Sequence, residues 1–573
     1  MNNAEIAATF DQVADILEFQ GANPFRVRAY RNAARTVHDL DESIAEIAAD
    51  PERRIDDLKG IGDDLAEKIR TLLETGKLPM LEELRAEVPE SVMAMLRVPG
   101  LGPKRAATIF KELGVSTLAE LREACQQQRV RALKGFGAKM EQTILAGLDI
   151  AAEAEHRVLW AEADEYVQSI AGHLQKSGAV NEVVAAGSYR RGKDTVGDLD
   201  FLALAPDTDA AMDALASVDG VADILARGDT KMSLRLRAGL QVDLRVVPEE
   251  SFGAALVYFT GSKDHNIVIR GRAKDRGLKI NEYGVFHGEE MVAGRTEEEV
   301  YATLDLPWIP PELREARQEF EWADAGTLPA LVELSDIRGD LHMHSTWTDG
   351  LNTIEEMAAA AKSRGLKYIA ITDHSKRVAM VGGLNGDRLR KQWEEIDRIR
   401  EGLKGITLLK GVEVDILEQG GLDIEDEVLA EADWVVASLH YGHNQPRSQI
   451  TRRAVEALEH PSVCAIAHPT GRMLMRRRPY EIDLEAVMQA AVDNGKFLEL
   501  NAHPTRLDLD DVACAAAKRR GVPIVISTDA HKTDGLAAMR YGVLQARRGG
   551  LTKADVVNSR SWSEVKKMVG RKG

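Results

Sequence analysis

Nine side chains in the C-terminal half of the chain combine the donor types of a metal centre with a repeated placement. Seven short apolar runs, IRGDLHMHS, YIAITDHS, LLKGVEVDI, WVVASLHY, VCAIAHPT, FLELNAH and VPIVISTDAH, each stop at or just before a histidine or carboxylate. The candidate ligands are His342, His344, Asp349, His374, Glu413, His440, His468, Asp529 and His531. One histidine on an apolar run is usually a core or surface residue. Repetition at the same end of successive runs has no ordinary packing explanation, so the set reads as a multinuclear metal site. Imidazoles and carboxylates without a thiolate suit Zn²⁺, Mn²⁺ or Fe²⁺ and do not choose among them. His503, in the sixth run, and His443 stand outside the pattern, as contacts around the centre or as packing residues.

A second set of acids lies earlier. The segment GSYRRGKDTVGDLDFLALA carries Asp198 and Asp200 on either side of Leu199, and LQVDLRVVP carries Asp243. Alternate residues of a strand share a face, so the first two project together, and Asp243 joins them if its strand lies in the same sheet. Three converging carboxylates repel one another unless cations are present. Two Mg²⁺ (or Mn²⁺) ions about 3.5–4 Å apart would suit them, activating a 3′-hydroxyl and stabilising a leaving pyrophosphate. Solvent-facing acids on an ordinary strand are the alternative for Asp-x-Asp alone. The preceding Gly187-Ser188-x-Arg190-Arg191 turn favours the metal reading, because it offers N–H, hydroxyl and guanidinium groups to a triphosphate.

The runs bearing the nine ligands alternate with helix-like stretches, the pattern of buried parallel strands in a β/α array, where chemistry sits at the C-terminal strand ends. Ahead of them, NEVVAAGSY, GDLDFLALA, MSLRLRAG and LQVDLRVVP read as strands after a long helix from about Ala151. Residues 1 to about 80 read as helices with short turns. Three related motifs follow from Leu58 (LKGIGDDLAEKI), Val98 (VPGLGPKRAATI) and Leu133 (LKGFGAKMEQTI). Each sets a Gly-x-Gly turn (Gly60 and Gly62, Gly100 and Gly102, Gly135 and Gly137) before an amphipathic helix whose first N–H groups can face a phosphate. One such turn also simply ends a helix. Three copies resemble helix-hairpin-helix elements, which hold the DNA backbone without reading sequence.

At 573 residues the chain exceeds one core and implies three or four domains. With 44% hydrophobic and 29% charged residues and no long low-complexity tract, it reads as soluble and globular. Neither a signal peptide nor a membrane-spanning run is expected. Cys125, Cys464 and Cys514 are too scattered for a disulfide framework, so a reducing cytoplasm is the expected location. The net charge of −18 opposes a polyanion, and the deficit lies before Ile337, where 39 basic residues face 59 acidic ones. DNA contact there must rely on local clusters such as Arg26, Arg28, Arg31 and Arg35, which otherwise read as solvated helix faces.

The turn Gly187-Ser188-x-Arg190-Arg191 followed by Gly197-Asp198-x-Asp200 resembles the nucleotidyltransferase motif of family X DNA polymerases, and Tyr258-Phe259-Thr260-Gly261-Ser262 resembles that family's steric gate. Asn266, Arg270 and Ile280-Asn281-Glu282-Tyr283 stand where the family has its nascent-pair contacts and thumb. The resemblance implies catalytic metal ligands at Asp198, Asp200 and Asp243. It implies nucleotide-binding residues at Gly187, Ser188, Arg191, Gly197, Tyr258, Phe259, Gly261, Asn266 and Arg270, with Ser188 and Arg191 on the triphosphate and the two aromatics against its sugar. Two departures stand out: Gln241 where vertebrate members have Arg, and Lys263 where they have Asp. The N-terminal helices resemble the family's lyase domain, with Lys68 at the Schiff-base position. Asp64 and Met80 replace lysines there, and an acid one turn from Lys68 weakens it as a nucleophile. A phosphate contact or an exposed helix residue is the alternative for Lys68. The nine-ligand series matches the PHP (polymerase and histidinol phosphatase) domain residue by residue. That match implies three divalent ions, Mn²⁺, Zn²⁺ or Fe²⁺, hydrolysing phosphoesters at a barrel mouth.

The implied architecture is multidomain. A helical lyase-like domain (1–82) and helix-hairpin-helix fingers (83–150) precede an α+β nucleotidyltransferase palm (151–246) and thumb (247–317). A linker (318–336) leads to a distorted (β/α)7 PHP barrel (337–573). The implied activity is template-dependent gap filling in DNA repair joined to 3′-5′ exonuclease or 3′-end phosphoesterase activity, with abasic-site nicking and a lyase as further implied reactions. Partners would be gapped or nicked double-stranded DNA and deoxynucleoside triphosphates, met by a monomer away from membranes. A small-molecule phosphatase tethered to a DNA-binding module, and a DNA-end scaffold without catalysis, are the alternatives.

Overall fold

The computed structural model describes residues 1, 3–38, 44–51, 53–58, 60–88, 90–96, 98, 101–154 and 157–570. The chain divides into two compact units, the first formed by residues 1–155 together with 475–477.

The first unit is helical, and one apolar core runs through it from Ile6 and Phe10 to Ile144 and Leu148. The three Gly-x-Gly motifs share one backbone hydrogen bond. In each, the residue between the glycines donates its N–H to the carbonyl three residues back: Ile61 to Leu58, Leu101 to Val98 and Phe136 to Leu133, all at 3.0 Å. Gly60, Gly102 and Gly135 have φ of 83°, 66° and 86°, which a side chain would strain. Gly62 and Gly102 cap helices Asp63–Thr75 and Pro103–Leu113, and Gly137 immediately precedes helix Ala138–Ala154. Gly100 lies outside the described residues.

The second unit begins with a two-stranded ribbon of β1 (Val158–Leu159) and β3 (Thr195–Val196). Beside it lies a five-stranded sheet of β2 (Glu182–Ala185), β4 (Asp198–Leu204), β5 (Val221–Arg227), β6 (Lys231–Leu236) and β7 (Gln241–Val246), in the order β2-β4-β7-β6-β5. The strand expected to run through GSY stops at Ala185, and Gly187–Arg190 turns into a short helix. β5, which sequence reading missed, is a largely exposed edge strand with no buried face to mark it. Leu199, Phe201 and Ala203 of β4, with Val242, Leu244 and Val246 of β7, pack into the core under helices Trp160–Ser177 and Thr208–Ala216. The pleat therefore sends Asp198, Asp200, Gln241, Asp243 and Arg245 to the opposite face.

Next comes a thumb of helices Phe252–Thr260 and Lys263–Asp275 with a small sheet of β8 (Lys279–Asn281), β9 (Gly284–His287) and β10 (Glu290–Ala293). The 318–336 connection is packed, with Phe320 and Ala323 in the thumb core and Phe320 stacked on His265 at 4.7 Å.

Seven parallel strands follow in sequential order: β11 (Gly339–Asp340), β12 (Tyr368–Ile371), β13 (Thr407–Asp415), β14 (Trp434–Ser438), β15 (Ala465–Ile466), β16 (Phe497–Asn501) and β17 (Ile524–Ser527). All seven apolar runs read from the sequence are strands. The ring nearly closes beyond the strand ends, where Met343 bridges Ala530. Among the described residues no helix is long and apolar enough to cross a membrane.

A fully buried side chain, Asn558, bridges the seam between β11 and β17, alongside Asp340, which accepts from Thr528 across it. Asn558 Nδ2 donates to Gly339 O and Ile526 O, both at 2.7 Å, and its Oδ1 accepts from Ile526 N at 3.0 Å. These backbone groups sit at open sheet edges and have no ladder partner to fall back on. Asn558→Ala is expected to destabilise the barrel by about 3 kcal/mol, given roughly 1–3 kcal/mol for each buried group left unpaired. Chemical denaturation read at the barrel tryptophans checks this.

Candidate metal centres

The nine residues of the C-terminal set meet at the barrel rim. His342 and His344 follow β11 and Asp349 lies in the loop beyond them; His374 follows β12 and Glu413 lies within β13. His440, His468 and Asp529 each stand two residues past β14, β15 and β17, with His531 just after. Parallel strands end on one side, so residues at matching offsets must converge. Ligand atoms lie within 4.8 Å of one another in three overlapping groups: His344, Asp349, His374 and His531; His342, His344 and Asp529; His374, Glu413 and His440. Glu413 is the hub. Its oxygens meet His374 at 2.6 Å, His468 at 3.1 Å, His440 at 3.3 Å, His342 at 3.6 Å and His344 at 3.8 Å.

Many of these contacts are close without being aligned as hydrogen bonds. His342 Nε2, His344 Nδ1, Asp349 Oδ1, His374 Nδ1, Glu413 Oε2 and His440 Nδ1 are buried with no hydrogen-bond partner. Each such atom costs roughly 1–3 kcal/mol unless something else satisfies it. Inward-facing nitrogen and oxygen donors with unspent lone pairs are what a divalent ion needs, so these residues fit a multinuclear metal site. His468 (φ 29°) and Asp529 (φ 54°) adopt the left-handed backbone that ordinary residues avoid, a local strain typical of functional sites.

Charge binds the cluster. Burial, with His531 and His374 nearby, pushes His344 down to about 3. At His374 burial is outweighed by Glu413 and Asp349, which raise it to about 10, and at His440 by Glu413 and Asp415, which raise it to about 9. Burial is outweighed in the other direction at Glu413 and Asp529, whose carboxyls the imidazoles hold well below the ordinary range.

Register brings the palm acids together. Asp200 and Asp243 are direct partners across the parallel pair β4–β7, with Asp198 opposite Gln241. Asp200 Oδ2 comes so near the turn that a Cβ on Gly187 (φ 61°) would lie 2.7 Å from it. Burial, then the charges of Asp198 and Asp243, raise the Asp200 carboxyl to about 6. At Asp243 burial is outweighed by hydrogen bonds from Lys231, Ser233 and Gln241, which lower it. Lys231 Nζ lies 2.7 Å from Asp243 Oδ2, and Gln241 Nε2 donates to Oδ1 at 3.0 Å. Among the described residues the groups closed to within 4.8 Å are those of the barrel, and the palm acids do not form one. They share a face and demand cations, one of which is supplied here by Lys231.

The remaining sequence-selected residues surround this face. Ser188 is in the turn, and Gly197 links β3 to β4. Arg191 donates to Thr260 O and, through Nε, to Glu315 Oε1 at 3.2 Å. Gly261 (φ 70°) leaves room for Arg191, whose Nη1 would be 3.2 Å from a Cβ there. The Tyr258 and Phe259 rings meet edge-on at 5.1 Å, and Arg245 lies over Phe259 at 4.3 Å. Asn266 Nδ2 donates to Tyr258 O at 2.7 Å, while Arg270 and Lys263 are exposed. In the first unit Lys68 lines a cleft of about 380 Å³ with Arg26, Tyr30 and Asp64, and its ammonium is paired with the Asp64 carboxylate. Tyr30 Oη donates to the Met80 sulfur.

Five family models match successive segments: a helix-hairpin-helix domain (1–78), a SAM-like helix-hairpin-helix tandem (92–149), DNA polymerase beta palm (157–249), DNA polymerase beta thumb (255–315) and a PHP domain (340–503). The chain is 42% identical over 579 residues to the DNA polymerase/3′-5′ exonuclease PolX of Bacillus subtilis, covering all of both chains. The chain belongs to the PolX family. Its barrel segment is also similar to smaller proteins. A probable phosphatase of Acetivibrio thermocellus is 34% identical over 34% of this chain and 78% of its own length, and one of Syntrophotalea carbinolica is 30% identical over 38% and 90%. The polymerase and PHP families are metal-dependent, in keeping with both acidic faces of this PolX-family chain.

Three residues of these sites escaped sequence reading. Glu499 of β16 accepts from His342 Nδ1 at 2.6 Å and from His468 N at 2.7 Å, so the sixth run contributes this acid to the rim. The more conspicuous His503 is bonded to Thr505. Asp415, at the end of β13, stands 3.4 Å from His440 Nδ1. Lys231 reaches Asp243 from the neighbouring antiparallel strand. Both acids had a local signal, each lying inside one of the apolar runs, whereas Lys231 had none. His443 donates to Leu439 O and stacks on Tyr480, a packing role.

Glu499→Gln is expected to weaken divalent-metal binding by roughly 10- to 100-fold, the usual cost of losing a group that orients a ligand. Metal content after graded chelation checks this, with His503→Ala expected to match the parent.

Proposed function

We propose that the chain is a DNA polymerase that also degrades DNA from the 3′ end, with nucleotidyl transfer on the palm and phosphodiester hydrolysis at the barrel rim. The observation that carries this reading is the pairing of Asp200 with Asp243 beside the Gly187 turn, in a chain whose barrel gathers eight further metal donors into three overlapping groups, with His468 against Glu413 at 3.1 Å. DNA and deoxynucleoside triphosphates are its substrates. In the fuller reading it fills gaps in nicked or gapped duplexes during repair, as a cytoplasmic monomer.

On the palm, Asp198, Asp200 and Asp243 would hold Mg²⁺ or Mn²⁺. Bound there, paired divalent ions activate the primer 3′-hydroxyl and neutralise the leaving pyrophosphate. Ser188 and Arg191 orient the triphosphate, Tyr258 and Phe259 bound its sugar, and Asn266 holds Tyr258 by its carbonyl. Lys231 is the counter-charge of Asp243 in the resting site and must swing aside. The helix-hairpin-helix turns at Gly60, Gly62, Gly100, Gly102, Gly135 and Gly137 would hold DNA phosphates on their backbone N–H groups. Lyase chemistry at Lys68 requires breaking its pair with Asp64, since a Schiff base forms only from a free amine.

At the rim the nine donors would hold three ions, Mn²⁺, Zn²⁺ or Fe²⁺. Clustered cations acidify water and stabilise a departing oxygen. Glu413 joins the donor groups, while Glu499 fixes the ring of His342. The small phosphatase relatives support phosphoester chemistry at this barrel. Identity across the whole chain favours DNA over a small-molecule substrate.

Two outcomes are expected. Asp243→Ala loses nucleotide incorporation roughly a thousandfold or more and keeps 3′-end degradation, and His344→Ala does the reverse. Equal loss of both activities in either variant contradicts two sites. Protonation of Asp200 below about 6 removes a metal ligand. Incorporation should therefore fall as pH drops through that value, and higher Mg²⁺ should shift the midpoint lower, because metal and proton compete. A pH profile at two Mg²⁺ concentrations checks this.

A further inference from the structure

We propose that the barrel positions the nucleotide-binding turn of the palm through one face of its helix Met539–Arg548, with Arg548 as the positioning residue. The inference rests on the reading that Arg191 binds the triphosphate.

Arg540, Leu544 and Arg548 recur every four residues and so line one helix face. All three reach the turn or what braces it. The Arg548 side chain is 1% exposed. Its Nη1 donates to the carbonyl of Arg191 at 2.6 Å and to Glu315 Oε1 at 3.1 Å, and its Nη2 donates to Asp511 Oδ2 at 2.6 Å. Glu315 Oε1 also accepts from Arg191 Nε at 3.2 Å. Arg191 is thus fixed at its main chain by Arg548 and at its side chain by a carboxylate that Arg548 shares.

The rest of the face repeats the contact. Leu544 fills the space over Gly192 so closely that a Cβ there would lie 2.6 Å from it, at a φ of 67°. Arg540 pairs with Asp164 at 2.8 Å, and Asp164 accepts from Tyr189 Oη at 2.6 Å. Tyr189 lies flat on Trp160, whose Nε1 donates to the Tyr189 carbonyl at 2.8 Å, and Tyr541 meets Trp160 edge-on at 5.7 Å. Residues 189, 191 and 192 of a turn only a few residues long are therefore anchored to the barrel. Here a buried guanidinium spends its donors on the backbone and the ion-pair partner of a substrate-binding arginine.

Without Arg548, Glu315 keeps Arg191 as its close guanidinium partner, and the Arg191 carbonyl loses a buried donor. The arginine is then drawn from the triphosphate toward Glu315, which weakens nucleotide binding more than it slows chemistry.

The test measures KM and kcat for nucleotide incorporation, the 3′-exonuclease rate and thermal melting on the full chain. The variants are Arg191→Ala, Arg548→Ala, Arg548→Lys and Leu544→Ala, the last keeping the inference testable should Arg548→Ala fail to fold. Arg548→Ala is expected to raise the nucleotide KM roughly tenfold with kcat within about twofold and exonuclease rate unchanged. Arg548→Lys should recover part of the loss, and Leu544→Ala should raise KM about threefold. The inference is overturned if Arg191→Ala raises KM while the Arg548 and Leu544 variants keep the parent value. It is overturned equally if those variants lower kcat and exonuclease rate together, as general destabilisation would. An unchanged KM in Arg191→Ala removes the underlying reading, and the inference with it.

Discussion

Glu413 lies inside the barrel mouth with 1% of its surface exposed and five imidazoles around it, contributed by residues that follow four other strands. A carboxylate so placed costs several kcal/mol unless positive charge is close by. The palm meets the same constraint with fewer partners. Burial, with the like charges of Asp198 and Asp243 on the same face, raises the Asp200 carboxyl to about 6. Asp243 answers by pairing with Lys231. Both centres are concentrations of negative charge that the fold assembles by parallel register and that only cations relieve.

How much of this was legible in the residues follows from what is local. Parallel strands buried on both faces read as continuous apolar runs, so the seven barrel strands and their terminal ligands were visible one at a time. Strand alternation placed Asp198 and Asp200 together without any tertiary information. Their partnership with Asp243 rests on β4–β7 pairing, which alternation alone left conditional on the two strands sharing a sheet. Lys231 becomes a site residue through a neighbouring strand, and Asn558 through a seam closed by residues more than two hundred positions apart. No local pattern marks such contacts. Glu499, like Asp415, is an acid inside an apolar run, a stronger anomaly than His503 four residues on. β5 was missed because an exposed edge strand has no periodicity to read.

The palm and barrel are not chemically independent modules on a string. Barrel arginines 540, 547 and 548 pair with Asp164, Glu312 and Glu315 of the preceding segments, and the 318–336 connection packs into the thumb core. Of these only the Arg548 pair has a fully buried guanidinium, and removing one partner from such a pair costs about 3–5 kcal/mol. On the proposed reading, a triphosphate-binding turn braced by the barrel would give the two activities a shared mechanical element.

The most direct measurement is anomalous diffraction from crystals of the full chain soaked in Mn²⁺ with a non-hydrolysable deoxynucleoside triphosphate. The account requires a cluster of peaks around Glu413 and the rim histidines. It also requires a separate pair between Asp198, Asp200 and Asp243, with Lys231 displaced from Asp243. A rim without peaks, or palm acids that keep Lys231 and bind no ion, would contradict it.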